Sequence, residues 1–334
     1  MTYFHKLVPN DPNIKTVTKS IRGKSYSYIT ACPRVAPILT VFLLHGFPDL
    51  SFGWRYQVPY LVSLGYEVVA LDMLGCGDSA APGDLHHYTF KSVANDIKVL
   101  AKELVGERKI VLGGHGLGGA VAWRTAIWHP DLVLGIFSIS TPFFPPSTMF
   151  VTPDDPALAF KIKPPGSRDN LKDECPGMPN SCRSSSHPRE GVEICGKIQA
   201  SNGVRLIFKH IAKLRLHNIL SRRESLVYLR HYLPHGEPRV EGPLRWFHLQ
   251  TRSYNRDEEQ QFFLNPWQTR TSALYISGDR HEKAMSAITS GMMKYFPNLV
   301  SRRVTGSYWC LWESTEEVNE ELANWIAMLT VDKP

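Results

Sequence analysis

Ten residues, Val111-Leu112-Gly113-Gly114-His115-Gly116-Leu117-Gly118-Gly119-Ala120, constrain this chain more than any other stretch. The apolar run Ile110 to Leu112 reads as a strand, and the small-residue run Gly119 to Ile127 reads as a helix. Between them the chain must reverse within a few residues. Gly114 and Gly118 leave room for strand and helix to approach closely. The middle position, residue 116, is pushed toward positive φ, so that its side chain would stand up from the end of the sheet. That residue is Gly116, which has no side chain to present.

The rest of the chain alternates strand and helix around this turn. Lys15 to Ile21 and Ser25 to Ala31 read as a hairpin around Arg22-Gly23-Lys24. Ile38 to Leu44 and Glu67 to Leu71 are continuous apolar runs, as buried parallel strands require. Thr89 to Val105 has Val93, Ile97, Leu100 and Leu104 on one helical face. Leu132 to Ile139, Ser272 to Ile276 and Leu299 to Val304 are further strands. The last helix carries Val318, Leu322, Trp325, Ile326 and Leu329 on one side, with Ser314 or Thr315 to cap it. Such alternation predicts a mostly parallel twisted sheet flanked by helices, with ligands beyond the carboxyl ends of its strands. The pattern divides into a first core part at 1–144, an inserted, largely helical cap at 145–262, and a last core part at 263–334. Leu206 to Leu233 is the helical portion of that cap. Residues 166–202 are irregular, with three cysteines, Ser184-Ser185-Ser186 and several prolines. A structureless run of that length departs from an ordinary cap. It reads as a flexible lid, as sequence released from its original constraint, or as a misassembled coding sequence.

Composition narrows the classes. A hydrophobic share of 43% suits a globular chain with a sizeable core. The net charge of +7 is scattered rather than clustered with aromatics, which argues against a nucleic-acid partner. No apolar run nears the roughly 20 residues of a membrane span. Residues Met1 to Pro12 show no apolar leader, and the end, Val331-Asp332-Lys333-Pro334, is not a peroxisomal address; the expectation is a cytoplasmic protein. The six cysteines form no C-x-x-C pair, so neither a metal nor a disulfide framework is expected.

Several short motifs occur in order: His45-Gly46-Phe47-Pro48, Trp54-Arg55, Asp72-x-x-Gly75-x-Gly77-x-Ser79, Gly114-His115-x-x-Gly118-Gly119, Gly242-Pro243-Leu244-Arg245-Trp246-Phe247 and Glu317-Val318-Asn319. Together they resemble the epoxide hydrolase and haloalkane dehalogenase branch of the α/β-hydrolase superfamily, in its fungal secondary-metabolism form. The resemblance implies the α/β-hydrolase fold with a helical cap. It also implies an Asp nucleophile at the turn, a late Asp, a His before the last helix, and two cap tyrosines that protonate the opening epoxide. Carried over by position, the nucleophile falls on Gly116, the acid on His281 and the base on Tyr308. The cap tyrosines fall on Phe247 and Phe160, and the usual Arg of the Asp72 motif on Leu74.

The motifs are therefore present and the reacting side chains are not. The covalent route needs a carboxylate to form an ester and a base to activate water against it. Gly116 cannot form the ester, and a phenol, with an ordinary pKa of about 10, is a poor base near neutrality. What needs no side chain is the oxyanion hole, assigned to the backbone N–H groups of Phe47 and Leu117. Asp279 is a possible substitute acid, His281 an acid or base, and Tyr308 a hydrogen-bond donor. Cys76, Ser79 and Cys310 lie near strand ends as alternative nucleophiles, and His115 reads as structural. Trp54, Phe160 and Phe247 are expected to line the pocket of a small apolar substrate, epoxy or polyketide- or fatty-acid-like as the resemblance implies. No cofactor is expected. The alternatives are a ligand-binding pseudoenzyme and a decayed paralogue.

Overall fold

The computed structural model describes residues 6–146, 220–234, 239–264, 269–280, 289 and 291–331. Its strands are β1 (Lys15–Ile21), β2 (Lys24–Ala31), β3 (Thr40–Leu44), β4 (Glu67–Leu71), β5 (Ile110–His115), β6 (Val133–Ile139), β7 (Ser272–Gly278) and β8 (Leu299–Val304). The longer helices are α1 (Gln57–Ser63), α2 (Phe90–Val105), α3 (Leu117–Trp128), α4 (Arg222–Tyr232), α5 (Leu249–Glu259) and α6 (Thr315–Val331). The strands form one sheet in the order β1-β2-β4-β3-β5-β6-β7-β8. β1 runs antiparallel to β2 and β2 antiparallel to β4; the other neighbours are parallel.

The chain leaves β3 to one side for β4, then crosses back to β5 on the other. In open sheets of this kind the ligand crevice lies where the strand order reverses, here beyond β3 and β5. The strand ends there are level: Leu44 pairs with Leu71 and with Gly114, and His115 pairs with Ile139. The segments after β3, β4, β5 and β6 consequently emerge side by side.

Alternation along each strand sends neighbours to opposite faces. Phe42 and Leu44 pack with α2 and α3, against Ile97, Leu100 and Trp123. Val41 and Leu43 face the other layer, with Trp54, Phe137, Trp325 and Ile326. α2 starts at Thr89, whose side chain accepts the N–H of Ser92, and stops at Gly106, which has φ 66°. α3 is apolar nearly all round because it is covered on all sides.

Between β6 and β7 the described segments are helical. α4 opens with a reciprocal capping box between Ser221 and Glu224. The expected helical portion 206–233 is thus seen as Arg222–Tyr232, while 206–219 and the irregular 166–202 lie outside the described residues. The segment 241–247 docks on the loop after β4. Trp246 Nε1 donates to the Leu74 carbonyl at 2.7 Å, and Arg245 donates to the Ala81 carbonyl at 3.0 Å. Gly75 and Gly242 meet backbone to backbone, so a Cβ at either would overlap the other. Ser314, an expected cap for α6, instead gives its hydroxyl to the Thr305 carbonyl. Among the described residues no helix is long and apolar enough to cross a membrane.

Candidate active site

The turn between β5 and α3 has the conformation its glycines predict. Gly116 sits at φ 56° and ψ −124°. Its N–H reaches the Ile139 carbonyl, and its carbonyl accepts the N–H of Ala120. A Cβ at Gly114 would overlap the Gly118 and Gly119 backbone, and one at Gly118 would overlap the Leu44 carbonyl. Both glycines are fixed by backbone contacts that no side-chain rearrangement could relieve. Gly46 and Gly116 also touch: a Cβ on Gly116 would lie 3.4 Å from Gly46 Cα. The two peptides assigned to the oxyanion hole, those of Phe47 and Leu117, therefore follow adjacent, packed glycines.

The volume above Gly116 is occupied. A Cβ built there would overlap the phenol oxygen of Tyr308. The residue at the expected base position thus places its hydroxyl where the nucleophile's stem would stand. The positions expected for the nucleophile and the base, 192 apart in the chain, interlock. Tyr308 is half-buried, and its ring packs on His115 with centroids 4.6 Å apart and on Trp309 at 5.4 Å.

The loop that carries Tyr308 is held from several sides. Three consecutive backbone N–H groups each donate to a different carboxylate: Thr305 to Glu317 at 3.0 Å, Gly306 to Asp279 at 2.9 Å, and Ser307 to Glu313 at 2.5 Å. The Tyr308 carbonyl accepts from His115 Nε2 and from Ser140 Oγ, both at 2.9 Å. Ser140 holds φ 60°, a left-handed conformation that a residue with a Cβ keeps only where its surroundings impose it. His115 is thereby structural, as expected. Asp279, the possible substitute acid, is exposed and binds the Gly306 N–H.

On the opposite side of the crevice the motif side chains are all engaged. His45 Nε2 accepts the N–H of Met73 at 2.9 Å, so the ring proton sits on Nδ1 and is donated to the Gly46 carbonyl. Asp72 is buried; its Oδ1 accepts the N–H of Ser51 and its Oδ2 that of Asp78. Ser79 Oγ donates to the Asp72 carbonyl and accepts the Ser27 N–H.

The alternative nucleophiles are accounted for by this packing. Burial raises the Cys76 thiol far above its ordinary range, and pushes that of Cys310 up to about 12. Neither supplies a thiolate near neutrality. Ser79 is committed to backbone partners.

Phe247, at one cap-tyrosine position, meets Phe47 edge to face with centroids 5.8 Å apart, which places it over the oxyanion segment. Trp54 does not line the crevice. It is wholly buried against Phe137, in the layer beneath the sheet, because an indole so placed fills core volume. Phe160 and His281 lie outside the described residues.

Sequence reasoning missed a buried cluster beside the site. The Asp49 carboxyl accepts from the Leu50 N–H and from the Tyr228 hydroxyl, both at 2.8 Å. Tyr232 donates to the Asp49 carbonyl at 2.8 Å and packs edge-on to Phe47. Burial lifts the Asp49 carboxyl above the usual carboxylate range, against the pull of the donors and of Arg55. The Tyr228 and Tyr232 phenols are raised well above 10, by burial first. Their spacing, four residues on one helix, was the available signal. Among the described residues no group of His, Cys, Asp and Glu could hold a metal ion.

The sheet order, the glycine turn and the level strand ends define an α/β-hydrolase-fold protein. A family profile described as the alpha/beta hydrolase fold matches residues 40–176. The Neurospora crassa protein named epoxide hydrolase srdG is 28% identical over 346 residues, covering 94% of this chain and 96% of that one. The Mus musculus bifunctional epoxide hydrolase 2 is 24% identical over 90% of this chain, which spans only 55% of that protein's length. Among solved structures, epoxide hydrolase VrEH1 from Vigna radiata superposes with a TM-score of 0.70 at 22% identity, covering 96% of this chain and 100% of that one. The chain therefore has the α/β-hydrolase fold, and the proteins it is similar to along most of its length are epoxide hydrolases.

Proposed function

We propose that this protein binds a small apolar substrate bearing an epoxide or carbonyl oxygen and acts on it without a covalent ester to the enzyme. One observation carries this reading: the Tyr308 phenol fills the place of a side chain at position 116. Nothing at the turn can attack carbon, whereas the N–H groups of Phe47 and Leu117 need no side chain to polarise an oxygen. Phe47 and Phe247 supply an apolar wall. The resemblance points to an epoxy, polyketide-like or fatty-acid-like molecule of a secondary-metabolite or toxin pathway.

A non-catalytic ligand binder is the second reading, favoured by the absent nucleophile. A decayed paralogue is disfavoured. Three carboxylates, a histidine and a left-handed serine converge on one loop, which supports a chain that folds to a specific structure.

The test incubates the purified protein with a panel of small epoxides, beside the triple variant Gly116→Asp, His281→Asp, Tyr308→His. Wild type is expected to bind panel members and to show no mass increment from an ester at any time. The triple variant, in which loss of the phenol makes room for the carboxylate, is expected to gain that increment. A covalent ester on wild type, or no binding of any panel member, overturns the reading.

A further inference from the structure

The interlock at position 116 has a chemical counterpart. A phenol hydroxyl stands over the turn, next to the peptides of Gly46-Phe47 and Gly116-Leu117. An oxygen held by those N–H groups would lie next to Gly46 and Gly116, beside the phenol. If Tyr308 merely plugged a vacated site, phenylalanine would serve, and its loop would need no special holding. Instead the carbonyl of Tyr308 itself takes two hydrogen bonds, one from a residue in a left-handed conformation. Thr305, Gly306 and Ser307, immediately before it, are each fixed by a separate carboxylate. The ring is gripped between His115 and Trp309. Every one of these contacts fixes where the hydroxyl ends up, which is what preorganisation of a reacting group requires.

We propose that the Tyr308 hydroxyl is the catalytic acid of this site, giving its proton to the substrate oxygen held by the N–H groups of Phe47 and Leu117. This deepens the reading above and rests on it. As the epoxide C–O bond breaks, the oxygen takes the proton of Tyr308. An O–H group attacks the opening carbon, forms the new C–O bond, and returns its own proton to the Tyr308 phenolate. Electrons and protons balance with no oxidant, reductant or enzyme ester. When the attacking hydroxyl belongs to the substrate, the product is a cyclic ether alcohol of the same mass. When it is water, the product is a diol. The assignment also explains Gly116: any side chain there would displace the acid.

The experiment uses the full-length protein and three probes: a long-chain terminal epoxide, a diaryl epoxide, and a long-chain epoxide whose own hydroxyl can close a five-membered ring. Binding is measured by calorimetry and turnover by product mass. Wild type is expected to convert at least one probe. Tyr308→Phe keeps the ring and its contacts, and should lower kcat by about 100-fold or more, a typical contribution of a positioned acid, with Kd unchanged. Gly116→Ala, which keeps Tyr308 but pushes it aside, should lower kcat as well. Turnover by Tyr308→Phe equal to that of wild type overturns the proposal. So does binding without turnover across the panel, which leaves the ligand-binding reading standing. Absence of binding overturns both this proposal and the function it rests on.

Discussion

Two walls of the same crevice are built on opposite terms. On one wall, formed by 45–49 and 72–79, each motif side chain supports backbone: His45 fixes the Met73 peptide, and Asp72 fixes those of Ser51 and Asp78. On the other, formed by the 116 turn and 305–309, the backbone is held by glycines and by carboxylates from neighbouring elements, and the Tyr308 side chain projects beyond it over Gly116. The first wall cannot change its residues without losing its shape. The second can exchange its chemistry while keeping the same trace.

This contrast can be broken experimentally, and the largest effect should come from the glycines that hold the second wall. Gly118→Ala forces a Cβ into the Leu44 carbonyl, a contact no rotamer relieves, and is expected to cost about 4 kcal/mol or more, read as a large fall in Tm or loss of soluble protein. Asp72→Ala comes next. It strands the buried Ser51 N–H and the part-buried Asp78 N–H on the first wall and should cost about 1–3 kcal/mol in urea unfolding. Gly116→Ala should cost about 1–3 kcal/mol, from its positive φ and its clash with Tyr308. In a double-mutant cycle, Tyr308→Ala should recover about 1 kcal/mol of that loss. Strict additivity of the two changes would show that the interlock carries no energy. Asp279→Ala removes one exposed clamp and should cost about 1 kcal/mol or less.

The smallest effects concern pH, at the contact between α4 and the core. Burial works to raise the Glu224 carboxyl, but hydrogen bonds from Ser221 and Lys6 and the charge of Arg55 outweigh it, bringing it from 4.5 to about 2. Its folded value lies below the ordinary one. Its contribution is therefore present above pH 4.5 and lost as the pH falls toward 2. Asp49 is shifted the other way, so its contribution is present at low pH and lost as the pH rises through its raised value. Tm measured against pH should show Glu224→Gln flattening the acid limb. Asp49→Asn should instead raise Tm slightly at neutral pH relative to acid.

The parts legible in the sequence were those governed by local rules. Glycines at 114, 116 and 118 announced the turn, and continuous apolar runs such as 38–44 and 67–71 announced the buried strands. Strand limits were off by a residue or two at their ends, as where β7 runs on to Gly278. Trp54 was misassigned because a large aromatic beside a motif reads alike whether it faces a pocket or the core. The contact between positions 116 and 308 was illegible, since it depends on two loops converging from distant strands. The same holds for Tyr228 on Asp49, where α4 must first be docked before a phenol and a carboxyl can meet.

The overlap between a side chain at 116 and the Tyr308 hydroxyl also ties changes at the two positions together. A carboxylate introduced alone at 116 meets the phenol and has to push it aside. An isolated loss of the phenol opens a hole with no attacking group to use it. A larger residue at 116 and the present place of the Tyr308 hydroxyl thus exclude one another. The interlock makes the two positions one unit, so that a change at either is read at both.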